Sequence, residues 1–349
     1  MTRMKTLIRK KLWLITTLLV LLATAACSNQ NNAAETVNST QANPSEKVPE
    51  KIVLGYQVSP NGELVAKALG LLEKKYPDIK IEWVKFEAGR DVNNAIASGS
   101  IDFGLVGTPP AAIGIASKLP YKIYYLHDVI GESEALVVKK DSGITSLQDL
   151  KGKTIATTFS STSHFSLLGA LKSEGVDPAK ENITILDMQP PDIFAAWQRG
   201  DIDGAYIWQP MQSKLIADNG EVIIHSGELA EKGVITAELG IVHPDFAEQY
   251  PDIVKGYISV LDEAVTYYHH NPEKSAELLS KELGLSPEES LKTMKQIVWL
   301  DASKQKEYFD GALAETLKNT ADFLVDQKSI TNAPDQATFK KALLSDFYE

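Results

Sequence analysis

Residues 195–210 read AAWQRGDIDGAYIWQP, and a close version of that phrase stands earlier, at 94–110, as NAIASGSIDFGLVGTPP. At a constant offset of 101 residues, Ala95 meets Ala196, Gly99 meets Gly200, Ile101-Asp102 meets Ile202-Asp203, and Pro109 meets Pro210. Each copy reads as the end of a helix, a glycine that stops it, an apolar strand and a proline near the start of the next helix. A phrase of this length, repeated at one offset, predicts two α/β units of common layout in one chain.

The flanking sequence extends the pattern. KIVLGYQ reads as a short apolar strand, and GELVAKALGLLEKKYP carries helical spacing at Leu64, Ala68, Leu71 and Leu72. IKIEWVKF alternates as a strand, DVNNAIASG closes a helix at Gly99, PPAAIGIASKLP is a helix opened by prolines, and YKIYYLHDV is a strand. The order then restarts: a strand in KGKTIATTF, the helix STSHFSLLGALKSEG with Gly175 as its stop, the strand NITILDM, and the second copy of the phrase. Strands alternating with helices of this length predict mostly parallel sheets with helices on their faces. After Pro244 the strands are expected to stop, and the helices from there to Glu349 are expected to pack on the first unit.

The start of the chain belongs to no fold. Arg3, Lys5, Arg9, Lys10 and Lys11 precede the apolar run LWLITTLLVLLATAA, so residues 1–26 read as a secretory signal peptide. Cys27, the only cysteine, follows small residues at the end of that run and reads as a lipidation site. Residues 27–49 are rich in Asn, Gln, Ser and Thr and are expected to form a flexible, lipid-anchored tether. Removing the five basic residues of the leader takes the net charge from −11 to −16, which argues against nucleic-acid binding. The only expected membrane contact is through the anchor.

Ligands of open α/β sheets collect at the carboxyl ends of strands, where helix N-termini also point. Three such places stand out: Thr108-Pro109-Pro110, the run Ser160-Ser161-Thr162-Ser163, and the VSPNG segment that follows Gln57. Each can be an anion site made of backbone N–H groups and hydroxyls, or ordinary helix capping. Glu134 and Glu238 open the two stretches expected to run between the units, and each faces either the cleft or solvent. Facing inward, either could meet an ammonium group. Tyr206 and Trp208 end the second repeated strand, as a wall of the cleft or as core packing. Asp102 and Asp203, at strand starts, read as structural caps. His269 and His270 are adjacent on a helix and diverge by roughly 100°, the other histidines are scattered, and no metal site or cofactor is expected.

The stretches GYQ, GESEALVVKK, STSHFSLLGALKSEG and QPPDIFAAWQRGDIDGAYIWQP resemble the periplasmic taurine-binding proteins of ABC importers, a group that also takes alkanesulfonates and nitrate. The likeness runs from about Lys51 to about Val325. It implies a type II periplasmic-binding-protein fold: two lobes, 50–138 with 237–349 and 139–236, closing on a ligand cleft. It implies a monomeric, extracytoplasmic receptor with no enzymatic activity, which hands taurine or a close aminosulfonate to a permease and its ATPase. By the resemblance, Gln57, Thr108, Pro109, Ser161, Thr162, His164 and Trp208 surround the ligand. Glu238 meets its ammonium where the family has Asp, and Glu134 is a second candidate. The family's aromatic residue two positions after the hinge acid is Gly240 here, which implies a missing wall and room for a larger sulfonate. Other solutes of the group remain alternatives, namely alkanesulfonates, nitrate or bicarbonate, and thiamine-pyrimidine precursors. A related pyrimidine-synthase activity needs a cysteine-rich motif that is absent here.

Overall fold

The computed structural model describes residues 48–348. The signal peptide, Cys27 and nearly all of the tether lie outside the described residues. Eleven strands follow in chain order: β1 Lys51–Gln57, β2 Lys80–Phe86, β3 Phe103–Gly107, β4 Lys122–Val129, β5 Glu134–Lys139, β6 Thr154–Thr157, β7 Thr184–Asp187, β8 Gly204–Trp208, β9 Gly220–His225, β10 Ala237–Val242 and β11 Val298–Trp299. They form a six-stranded sheet in the order β11-β4-β10-β3-β1-β2 and a five-stranded sheet in the order β7-β6-β8-β5-β9.

Strands β1 to β4 share one direction, and so do β6 to β9. Each sheet is nevertheless mixed rather than mostly parallel, because a reversed strand inserted inside it makes the pairings on both of its sides antiparallel. Those reversed strands are β5 and β10, each of which has just crossed from the other sheet. Side by side, the crossings are tied by the Ile130 N–H donating to the Thr236 carbonyl at 3.0 Å.

Both faces of each sheet are covered, which explains the continuous apolar strands. Along β1, Ile52, Leu54 and Tyr56 pack on one side with Val254, Tyr257 and Leu261 of the helix Pro251–His270. Val53 points to the other side, among Phe309, Leu313 and Leu317. In β5, Leu136 and Val138 face Leu167 and Leu171, while Val137 faces Trp197 and Ile207. The C-terminal helices thus clothe the six-stranded sheet. The expectation that strands stop after Pro244 is corrected in two places. β10 extends to Val242 as expected, but Val298–Trp299 adds an edge strand to β4, and Leu343 forms a bridge to Ile123. Two paired residues carry too little periodicity to be read from sequence.

The repeated phrase does the same job twice. Gly99 and Gly200 have φ of +67° and +80°, the left-handed geometry that ends a helix without strain only at glycine. Asp102 Oδ2 accepts the Val53 N–H at 2.8 Å, and Asp203 Oδ2 accepts the Thr154 N–H at 2.8 Å. The N–H groups of the two aspartates donate back to the same partners, to Val53 and Thr154 carbonyls, both at 2.9 Å. Each aspartate therefore splices its strand onto the one beside it, far from the carboxyl ends. Asp102→Ala and Asp203→Ala are each expected to lower stability by about 1–2 kcal/mol, through a strand N–H left without its acceptor. Urea unfolding checks this, and Asn at either position should recover part of the loss.

Candidate functional site

The carboxyl ends of both sheets face one cleft. A pocket of about 350 Å³ of empty space lies in it, lined by Gln57, Ser59, Gly89, Leu105, Gly107, Pro110, Ser161, Thr162, Trp208 and Glu238. The room inside it for a water-sized molecule is only about 20 Å³, far below the roughly 300–1,000 Å³ typical of ligand sites. No lysine or arginine lines it.

Three helices begin at the pocket: Gly89–Ala97, Thr108–Ala116 and Thr162–Ser173. The first turn of any helix leaves N–H groups without intrahelical acceptors, and the aligned peptides add partial positive charge there. Ser161 caps the third helix, its hydroxyl accepting the His164 N–H at 3.2 Å. Convergence of these ends builds an anion-accepting wall without a cationic side chain. Gln57 closes the floor, its Nε2 donating to the Leu105 carbonyl at 2.9 Å.

The opposite wall is acidic, because β10 runs backwards. Reversal brings its first residues level with the last residues of its neighbours, so Glu238 pairs with Gly107 on one side and with Asp128 on the other. Glu238 is half-buried, yet its Oε2 is enclosed and has no hydrogen-bond partner. Burial first, then the charges of Asp128, Glu134 and Glu63, hold its carboxyl well above the usual carboxylate range. The same reversal in β5 sets Glu134 against Trp208. Glu134 is fully buried below the pocket and accepts from four hydroxyls: Thr162, Ser163 at 2.8 Å, Ser166 at 3.1 Å and Ser226 at 2.7 Å. Burial raises its carboxyl while those four hydroxyls oppose the rise. It therefore orients Thr162, which lines the pocket, rather than lining it.

The sequence-expected residues sort by this geometry. Gln57, Ser161, Thr162, Trp208 and Glu238 come together in the lining. Thr108 is fully buried between the lining residues Gly107 and Pro110, its hydroxyl without a partner, and Pro109 stands next to it outside the lining. His164 turns away: its ring stacks on Phe159 at 4.4 Å, its Nδ1 accepts the Ser160 N–H at 3.4 Å, and burial lowers it to about 4. It braces the loop that presents Ser161. Gly240 is no gap in a wall. The space its side chain would fill is taken by the Tyr124 ring, with the ring carbon Cζ 2.6 Å from where a Cβ would stand, inside the lobe core. Tyr206 is likewise core, its hydroxyl 3.1 Å from that of Ser226.

Several participants escaped the sequence reading: Gly89, Gly107, Ser166, Ser226, Asp128 and a clamp across the cleft. Arg90 Nη1 bonds both oxygens of Asp187 at 2.9 and 2.7 Å, and Gln189 Nε2 donates to Asp91 Oδ2 at 3.1 Å. Asp187 Oδ1 also accepts the Phe159 N–H at 2.9 Å, so the clamp ties the first helix start to the loop of the third. Among the described residues, no cluster of three or more potential ligands is arranged to hold a metal ion, and no helix is long and apolar enough to cross a membrane.

Two α/β lobes joined by two crossing strands, with a small polar pocket at facing helix N-termini, define a two-lobed solute-binding protein. Residues 59–275 match the NMT1/THI5-like family, and the chain belongs to that family. It is 36% identical to the taurine-binding periplasmic protein of Escherichia coli over 285 residues, covering 80% of this chain and 87% of that one. It is 32% identical to a putative aliphatic sulfonates-binding protein of the same organism, covering 71% and 76%. The alkanesulfonate-binding protein of Xanthomonas axonopodis pv. citri, solved bound to MOPS, superposes with a TM-score of 0.71 at 25% identity, covering 84% and 98%. The chain is a solute-binding protein of the ABC-importer type, located outside the cytoplasm, and not an enzyme.

Closure has a steric signature. A Cβ on Gly107, in one lobe, would stand 2.4 Å from Thr162 Cγ2 in the other. Thr is β-branched and stiff, so the contact can relax only by parting the lobes. Gly107→Ala is expected to weaken solute binding by about 1–3 kcal/mol, the usual cost of overpacking, while leaving the unfolding temperature of each lobe close to that of the parent. Titration calorimetry and thermal unfolding read the two effects separately.

Proposed function

We propose that this chain captures taurine or a closely related aminosulfonate and delivers it to an ABC permease and its ATPase. One observation carries the reading: Glu238, with an enclosed carboxylate oxygen lacking any partner, stands across a small pocket from three helix N-termini. A sulfonate accepts from the free N–H groups at those helix starts, and an ammonium two carbons away satisfies the acid. Nitrate, bicarbonate and plain alkanesulfonates bring no cation for Glu238. Trp208 supplies the apolar side against which the ethylene chain packs. The E. coli relatives, a taurine-binding periplasmic protein and a putative aliphatic sulfonates-binding protein, support the same solute class.

In this reading the receptor acts as a monomer. Acylation of Cys27 anchors it, and residues 27–49 are the tether that lets the two lobes reach the permease. Calorimetry with taurine, ethanesulfonate, nitrate and β-alanine tests the proposal, with taurine expected to bind tightest. Ethanesulfonate binding as tightly as taurine would remove the role given to Glu238. Glu238→Gln is expected to weaken taurine by roughly 1.5–3 kcal/mol, the worth of a hydrogen bond to a charged group, and to leave ethanesulfonate little changed.

A further inference from the structure

Four acids gather in and behind the pocket wall, and no cationic side chain accompanies them. Glu238 lies on β10, Asp128 on β4, Glu134 on β5, and Glu63 on the helix Gly62–Leu69. The other titratable groups packed there are Tyr124 on β4, Tyr257 on the helix Pro251–His270, Tyr206 on β8, and His127 beside Asp128. Tyr257 donates to Glu63 at 2.9 Å, and burial holds all three tyrosines protonated. His127 is buried with both ring nitrogens unpartnered, and desolvation lowers it to about 3, so it brings no charge. None of the ion pairs among the described residues engages any of the four acids.

Within this group Asp128 and Glu238 are a pair by register. They are directly opposite on adjacent antiparallel strands, which puts their side chains on one face with Cβ atoms about 4.5–5.5 Å apart. The register slips just after Glu238, leaving His127 without a strand partner. Glu134 lies close on another side, while Glu63, raised to about 8 by burial, stays protonated near neutral pH beside Tyr257. Two carboxyls in such a place cannot both ionise while the pocket lacks a cation, since like charges at this separation and burial repel strongly.

We propose that Asp128 and Glu238 work as one proton-sharing carboxyl pair, and that the amine of the solute takes the place of the shared proton. The step balances: the pair gives up one proton to solvent as the ammonium arrives, and two carboxylates then face one cation. Asp128 is thereby a specificity-determining residue for amine-bearing solutes, although it lies behind the pocket lining. The inference rests on the aminosulfonate reading above. Its sign follows from the raised carboxyls, Asp128 up to about 8 through burial and the Glu134 charge. Below that range the proton must be displaced, so affinity rises with pH until the pair is ionised in the free protein.

The test is titration calorimetry of the purified protein with taurine and with ethanesulfonate, in buffers of different ionisation enthalpy. Taurine is expected to release roughly one proton near neutral pH, and its affinity to rise close to tenfold per unit between about pH 6 and 7.5. Ethanesulfonate should release none. Asp128→Asn should cut the release well below that of the unmutated protein and shift the pH profile of taurine binding to lower pH, because Glu238 then keeps the effect of burial but loses the carboxyl with which it shares the proton. Taurine binding with no proton exchange in the unmutated protein overturns the inference and leaves the functional reading standing, as does full release from Asp128→Asn. Absence of taurine binding at every pH overturns both.

Discussion

The chain must pass between its two sheets twice, and each time it enters the new sheet as a strand running against its neighbours. That constraint organises the site. In a parallel sheet, strand starts lie at one edge and strand ends at the other. A reversed strand alone can bring its first residues to the edge where helix N-termini collect. Glu134 opens β5 and Glu238 lies next to the start of β10, so each crossing delivers a carboxylate to the cleft edge of its sheet. The hydrogen bond between Ile130 and Thr236 holds the crossings together.

The electrostatics follow from this placement. One wall of the pocket carries the partial positive charge of three helix starts, and the other carries carboxyls with no counter-cation. Neither wall exposes a full charge to a compensating side chain, and in the proposed aminosulfonate reading the solute completes the pairing. Burial makes this effective, since an unpaired group enclosed away from water is costly and its satisfaction correspondingly favourable. The two acids are nevertheless used differently. Glu134 is saturated by four hydroxyls and fixes Thr162, whereas Glu238 keeps one oxygen unpaired. Across the mouth, the Arg90–Asp187 clamp is partly exposed, and such pairs contribute modestly. Its value lies in wiring the Gly89 helix start to the loop that carries Ser161.

The two-lobed layout was legible because it is written in local pattern. Gly99 and Gly200 stop helices through backbone geometry that few other residues adopt, and Asp102 and Asp203 mark strand starts by one repeated hydrogen-bonding job. The helix starts at Thr108 and Ser161 were equally visible as proline and hydroxyl signals. The sequence position of His164, in the first turn of a pocket helix, does not say which way its ring turns; the structure places it against Phe159. Gly240 was misplaced because an absent side chain reads as a gap until the neighbour filling it, Tyr124, is known.

Asp128 shows the limit most clearly. In YKIYYLHDV nothing separates it from any polar residue ending a strand, and only its position opposite Glu238 on an antiparallel neighbour makes it part of the site. The sequence by itself determined the element order, the repeat and the candidate anion-binding turns, since these depend on residues close along the chain. The tertiary structure alone decided which carboxylates share a wall, which hydroxyls saturate Glu134 and which lobe residues clamp the cleft. Those depend on strand direction and register across distant segments, and on burial that raises the carboxyls only once the lobes have packed around them.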